Sequence, residues 1–410
     1  LLLDVADSYQ GICTGDFLRF GRCSWELAEV SGDWMFQQTS SSGDSPIGGL
    51  HYVLLWQNGQ GAFHEFLNAR LGPHKHGAWV RGLEAWGHLG VCINQTQSLG
   101  ASLYTGEAFD NNAAVIVAKN PEDLDAVWAF CSSQEYAASV RKIDQKLNVT
   151  NITLLKVPFD LARWRGIAAQ ISPAGLPQPL STDPTQWVFD GRPGDCDHPL
   201  QVAVARLLGY RWPRQVGHAF QDCPALASDE LQDSTDPVGV VPIPAVRGER
   251  AAADRIRALL QIAYGAQWSQ ELLQQLLTDA GSRADVGLDE WLRTGFFQDH
   301  CRIFHQRPFI WHVWDGRTDG FHALVNAHRL TGSGGEGRRT LEALTYTYLG
   351  DWIARQQTDQ RESMEGADAR LAAAQDLQHQ LESILEGEPP YDLFARWKPL
   401  HEQPVGWDPD

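Results

Sequence analysis

The sequence predicts a mixed α/β domain over about residues 1–170, followed by a mainly α-helical C-terminal domain over 171–410. Three observations carry that reading. Short apolar runs such as HYVLLW (51–56) and AAVIVA (113–118) sit between Gly, Asn and Asp residues, as buried strands do. A Pro/Gly/Asp-rich passage, ISPAGLPQPLSTDPTQW (171–187), has the composition of an inter-domain connection. Beyond it, apolar residues recur mostly at helical spacing.

Taken in order, Pro121 with Glu122 and Asp123 in the first turn opens a helix expected over 121–144. ITLLKVPF (152–159) reads as a strand. HPLQVAVARLLGYRW (198–212) and, after an acidic turn-rich stretch (222–240), AAADRIRALLQIAYGAQWSQELLQQLLTDAG (251–281) read as helices. Pro308 and FIWHVW (309–314) predict a short strand, then a glycine turn and a helix. The glycine-rich TGSGGEG (331–337) follows a helix and reads as a loop. Residues 339–386 read as almost wholly helical, with a long helix near 360–386 whose Leu371, Ala374, Leu377, Leu381, Ile384 and Leu385 form one apolar stripe. The aromatic run Phe309, Trp311, Trp314 and Phe321 is expected in a core, because each ring buries a large area.

Composition narrows the function. With 410 residues, 43% of them hydrophobic, the chain can build two or three cores. Its 33 Lys+Arg against 51 Asp+Glu, net −18, argue against broad attraction to polyanions, so any nucleic-acid surface must be local. The seven cysteines include no Cys-x-x-Cys pair and suggest no disulfide framework, which favours a reducing cytoplasm. No apolar run is long enough to span a bilayer, and LLLDVADSYQG lacks the pattern of a signal peptide. With no initiator Met, that opening suggests a piece of a longer chain. Cys196 with His198, His74 with His76, and Cys301 with His300 and His305 lack the paired spacing of a zinc site, so no metal is expected. No Gly-x-Ser-x-Gly elbow marks a nucleophile.

Several blocks resemble one family. YQGICTGDFLRFGRCSWEL (9–27), the segment from LYTGEAFDNN to LLKVPFDLARW (103–164), RPFIWHVWDGRTDGFHALVNAHRL (307–330), LTYTYLGDWI (344–353) and YDLFARWKPLHEQPVGW (391–407) resemble the C-terminal half of large adenine-specific DNA methyltransferases. These are the type IIG and phage-defence (BREX- or DISARM-type) enzymes of restriction-modification. The resemblance implies a DNA target-recognition domain over 1–170 and a helical domain that closes around DNA. It also implies double-stranded DNA as partner, with S-adenosylmethionine and the catalytic Asn-Pro-Pro-Tyr in a methyltransferase domain N-terminal to this chain. Other defence-system proteins are further expected partners. Glu388-Pro389-Pro390-Tyr391 comes one residue from that catalytic motif. It follows an amphipathic helix, however, and Glu388 is a methylene too long, so a helix stop is the better reading. No strand ends in the Gly-x-Gly turn of a cofactor site, and no catalytic residue is assigned.

Residues 141–165 carry six cations (Arg141, Lys142, Lys146, Lys156, Arg163, Arg165) against Asp144 and Asp160, a local surplus of four. Cations neutralise phosphates, while Asn148, Thr150 and Asn151 are short polar groups able to read base edges or cap a turn. The resemblance adds two loops as DNA-facing candidates. One holds Thr14, Gly15 and Asp16 with Arg19; the other, YTGEAFDNN, holds Tyr104, Asn111 and Asn112. The loop GPHKHGAWVRG (72–82) reads first as an ordinary exposed connection. A different class of function, an acidic scaffold using the 360–386 helix to hold partner proteins, stands as the alternative.

Overall fold

AAVIVA is apolar on both faces because both faces of its sheet are covered. The computed structural model describes residues 1–41, 45–96, 99–172, 175–331 and 335–387. It is a mixed α/β chain, 47% helical and 14% strand, with a helical C-terminal region. The EPPY stretch and the block 391–407 lie outside the described residues. Among the described residues, no helix is long and apolar enough to cross a membrane.

The chain forms two compact units. The first holds residues 1–181, 185–190 and 213–226; the second holds 182–184, 191–212 and the chain from 227 onward. The expected connection at 171–187 therefore contains the first crossing, yet the chain returns to the first unit twice. The returns have a packing reason: Trp187, Val188 and Cys223 are buried in the first unit's core. Trp187 N–H donates to Leu50 O at 2.8 Å, and Leu50 N–H donates to Gln186 Oε1 at 2.8 Å.

Among the described residues of the first unit, eight strands build two sheets: β1 (Ala6–Gln10), β2 (Gly21–Cys23), β3 (Trp34–Gln38), β4 (Tyr52–Leu55), β5 (Gly90–Asn94), β6 (Ala101–Tyr104), β7 (Ala108–Phe109) and β8 (Ala113–Ala118). One sheet has the order β1-β8-β5-β6, antiparallel throughout; the other has the order β2-β4-β3-β7, with β3 and β7 parallel. Side chains alternate along a strand. Ala114 and Ile116 of β8 and Val91 and Ile93 of β5 therefore enter one core, shared with the helices Leu124–Cys131, Gln134–Ile143, Asn151–Leu155 and Leu161–Ile171. Ala113, Val115 and Cys92 enter another, with Tyr104 and Phe109.

Two elements differ from expectation here. The single helix over 121–144 is split, because Ser133 leaves the helical path and its side chain caps a new start, accepting from Tyr136 N–H. ITLLKVPF is not a strand. Residues Asn151–Leu155 form a helix that buries Thr153, Leu154 and Leu155, and it packs on β1.

In the second unit, helices Pro199–Leu207, Ala252–Tyr264, Gln270–Asp279, Leu288–Thr294 and Phe296–Ile303 accompany a sheet of β9 (Val240–Pro242), β10 (Ile310–Trp314) and β11 (His322–Asn326), ordered β10-β11-β9. A second strand thus follows the glycine turn at 316 before the short helix Ala327–Leu330, where a helix alone was expected. The C-terminal run is helical as expected, through Glu336–Glu342, a π-helical turn Ala343–Tyr348, Leu349–Arg361 and Ala367–Glu386. Gly366, with φ of 75°, breaks it and delays the last helix to 367. Leu371, Ala374, Leu377 and Leu381 pack on Phe321, Val325, Leu349 and Trp352, with Ile384 at the edge. Phe309 and Phe321 are buried as expected; Trp314 is exposed.

Several buried polar groups in this unit find partners. Arg206 and Asp229 pair in the interior at 2.5 Å. Asp236 accepts from the N–H groups of Val238, Gly239 and Val240 and from Arg255 Nη2. His300 is fully buried beside Gln201, and its Nε2 accepts from the N–H groups of Phe309 and Ile310 at 3.3 and 3.2 Å. That geometry needs a neutral ring, and burial holds the imidazole down to about 3.

Candidate nucleic-acid interface

Strand register decides which of the expected residues meet. Gln10 pairs with Ala114 at the C-terminal end of β1, and Asn94 pairs with Ala113 at the C-terminal end of β5. The loops that follow β1 and β5, and the loop that precedes β8, consequently emerge at one end of the four-stranded sheet. The first carries Thr14–Asp16, and the last carries Asn111 and Asn112. A bridge between Thr96 and Asn148 brings in the third expected segment.

Hydrogen bonds hold the loops in place. Ile12 N–H donates to Phe109 O at 2.8 Å, Asn111 N–H returns to Ile12 O at 3.0 Å, and Cys13 N–H donates to Trp79 O at 2.9 Å. Gly11 is required at this crossing, because a Cβ there would stand 2.3 Å from the carbonyl oxygens of Phe109 and Asp110. Gly15, at φ of 68°, lies against the ring of Trp79. The buried Asp110 carboxylate accepts from Thr39 Oγ1 at 2.8 Å and from Asn112 N–H and Nδ2 at 3.0 Å each. Burial raises its pKa, and these hydrogen bonds oppose the rise.

On the third segment, Val149 N–H donates to Gln95 O at 3.0 Å, and Gln95 Nε2 donates to Val149 O and Asn151 Oδ1 at 2.8 and 2.7 Å. Asn151 is therefore a brace. Thr150 stands at the N-cap position of the helix Asn151–Leu155, its hydroxyl against that of Thr153 at 2.9 Å. Between the Gln134–Ile143 helix and this one, Lys142, Lys146 and Asn148 are exposed, and Leu147 between them is 69% exposed. Arg141 Nη1 donates to Lys146 O at 2.5 Å, closing that loop.

Other expected residues fall elsewhere or serve the fold. Tyr104 pairs with Gly90, at the far end of the sheet; it is buried, and its hydroxyl donates to Glu107 O at 2.5 Å. Its pKa is raised by burial, and it offers no surface to a ligand. Thr14 is buried, so that loop presents Gly15 and Asp16. Asp16 caps the turn Phe17–Phe20 by accepting from Arg19 N–H, while the Arg19 guanidinium lies 4.9 Å from the Phe20 ring centre and stays exposed. Lys156 is exposed but sits at the other end of its helix, next to Val157, whose carbonyl accepts from Leu2 N–H. Arg163 forms a two-pronged pair with Glu135 at 2.7 and 2.6 Å, and Arg165 pairs with Asp123. The apparent surplus of four charges over 141–165 is smaller at the surface for that reason.

The loop 72–82, read from sequence as a plain connection, belongs to the cluster. Trp79 holds Cys13, and Arg81 Nη1 donates to Gln10 Oε1 at 2.7 Å. Its Gly-flanked cationic composition was the available signal; its position was not. His76 Nε2 lies 2.7 Å from Asn68 Oδ1 rather than joining His74 at a metal. Among the described residues no group of three or more His, Cys, Asp or Glu could hold a metal ion. TGSGGEG stands in sequence between the helices Ala327–Leu330 and Glu336–Glu342, and its residues 332–334 lie outside the described residues. No methyl-transfer step is assigned to these residues. Comparison with known proteins finds no matching family model and no matching curated protein.

Proposed function

We propose that this chain is the DNA target-recognition portion of an N6-adenine methyltransferase of restriction-modification or phage defence. It would hold duplex DNA so that one adenine reaches a separate S-adenosylmethionine-binding domain. The observation that carries the reading is the convergence of Gly15–Asp16, Asn111–Asn112 and Lys146–Asn148, far apart in sequence, at one end of one sheet. Short amide side chains there match the donor and acceptor pattern of base edges, and Arg19, Lys142 and Lys146 supply cations for phosphates. The exposed Leu147, between a cation and an amide, suits a loop that enters a groove. The scaffold alternative loses part of its support, because Leu371, Ala374, Leu377 and Leu381 of the apolar stripe are already buried within their own unit.

Binding to random-sequence duplex DNA across a salt series tests the proposal. The Lys142→Ala/Lys146→Ala variant should lower the slope of log K against log salt by about 0.9 for each phosphate it no longer neutralises. Arg163→Ala, whose guanidinium is held by Glu135, should leave the slope unchanged. Absence of binding at low salt, or equal slopes in all three proteins, would refute it.

A further inference from the structure

A second concavity of the first unit has no part in this interface. It is an open cavity of about 430 Å³ whose walls include Trp34, Phe36, Trp56, Trp86, His218 and Glu107. Each of these side chains is half-buried. Trp34 and Phe36 share a face of β3 because they are two residues apart. β7 runs parallel beside that strand, which brings in Glu107. The approach of Gly106 to Gly87, with Gly87 N–H donating to Gly106 O at 2.8 Å, sets Trp86 next to it. A Cβ on Gly106 would lie 3.2 Å from Gly87 Cα.

Ring orientation determines what fits. Trp56 and Trp86 meet at 70° with centres 5.6 Å apart, and Phe36 and His218 meet at 83° with centres 5.2 Å apart. Edge-to-face pairs leave no parallel slot between them of the kind a flat base fills. The negative faces of aromatic rings attract a cation whose charge is spread over methyl groups and costs little to desolvate. Glu107 adds a carboxyl to the wall, whose ionised form a bound cation would favour. Thr105 Oγ1 donates to its Oε2 at 2.5 Å, and no cation pairs with it among the described residues. Burial raises the pKa of this carboxyl, as expected of an acid without a counter-ion.

We infer that this aromatic cage binds a quaternary-ammonium group, with Glu107 as its counter-ion. The group can be carried by a free small molecule or by a trimethyl-lysine side chain, and the cavity's open mouth leaves room for either stem. Titration calorimetry of the full chain with choline, with its neutral carbon isostere 3,3-dimethylbutan-1-ol, and with adenosine tests the inference. Choline should bind at least tenfold more tightly than the isostere. Glu107→Gln should reduce that preference, and Trp56→Leu should weaken choline at least tenfold. Paired peptides with trimethylated and unmodified lysine identify the source: a trimethylated peptide that binds more tightly than choline indicates a protein partner, and the reverse a free metabolite. Equal binding of choline and the isostere, binding of neither, or preferential binding of adenosine would each overturn the inference. The wild-type comparison stands even if a variant fails to fold. DNA binding by the interface loops is a separate measurement, so either reading can fail alone.

Discussion

At the scale of single residues, the proposed interface depends on one missing Cβ. Gly11→Ala would force apart the backbones of β1 and the segment before β8, which meet at Ile12 and Asp110. Overpacking of this kind costs about 1–3 kcal/mol. Urea denaturation should show that loss, and DNA affinity measured below the unfolding range should fall further than for Lys142→Ala. Arg206 makes the opposite kind of demand. Removing it by Arg206→Ala strands the Asp229 carboxylate in the interior, at a cost of about 3–5 kcal/mol, again read from the denaturation midpoint. Neither requirement is visible in sequence, since a glycine among 38 and an arginine in an ordinary helix carry no mark of their neighbours.

At the scale of elements, the apolar stripe of Ala367–Glu386 predicts that Leu377→Ala costs about 2–5 kcal/mol by leaving a cavity, measurable by thermal or urea unfolding. A shift below about 0.5 kcal/mol, the range of surface substitutions, would mean that the helix is peripheral. The stripe was legible because one helix face repeats every three to four residues over twenty. β8 was legible because six apolar residues lie between turn formers. ITLLKVPF was not: its β-branched Ile152 and Thr153 favour a strand, but five residues suffice for a helix once Thr153, Leu154 and Leu155 are buried against β1. β11 was missed because HALVN followed a glycine turn and preceded a helix, leaving only five residues of its own. The expected loops around 14, 111 and 148 were readable as polar turns. That they share one end of a sheet follows from the register of β1, β5 and β8, which no local pattern encodes. The aromatic cage was illegible for the same reason, as its walls come from residues 34 to 218.

At the scale of the whole molecule, acid should weaken the second unit more than the first. In the second, burial holds His300 down to about 3 and His312 to about 4, against an ordinary 6.5. The His312 ring meets that of His322 at 2.9 Å, and His322 Nε2 donates to Arg317 O, an arrangement for two neutral rings. Between pH 6.5 and about 4 the unfolded state binds more protons, so the stability present above 6.5 is lost as pH falls. In the first unit, burial raises Glu107 and Asp110, so the folded state takes up protons first at these two groups and acid relieves their cost, against the opposite contribution of His64, which burial lowers. Calorimetry at pH 7 and pH 5 should therefore show the second unit's transition moving down relative to the first, and His312→Gln should reduce the movement. A single transition unmoved by pH would contradict this. The division into units also bears on inheritance. Because the chain passes between them five times before residue 227, a single genetic crossover in that region gives one unit a core assembled from two parents. Exchange of either unit by one crossover there would therefore leave mismatched packing in a core.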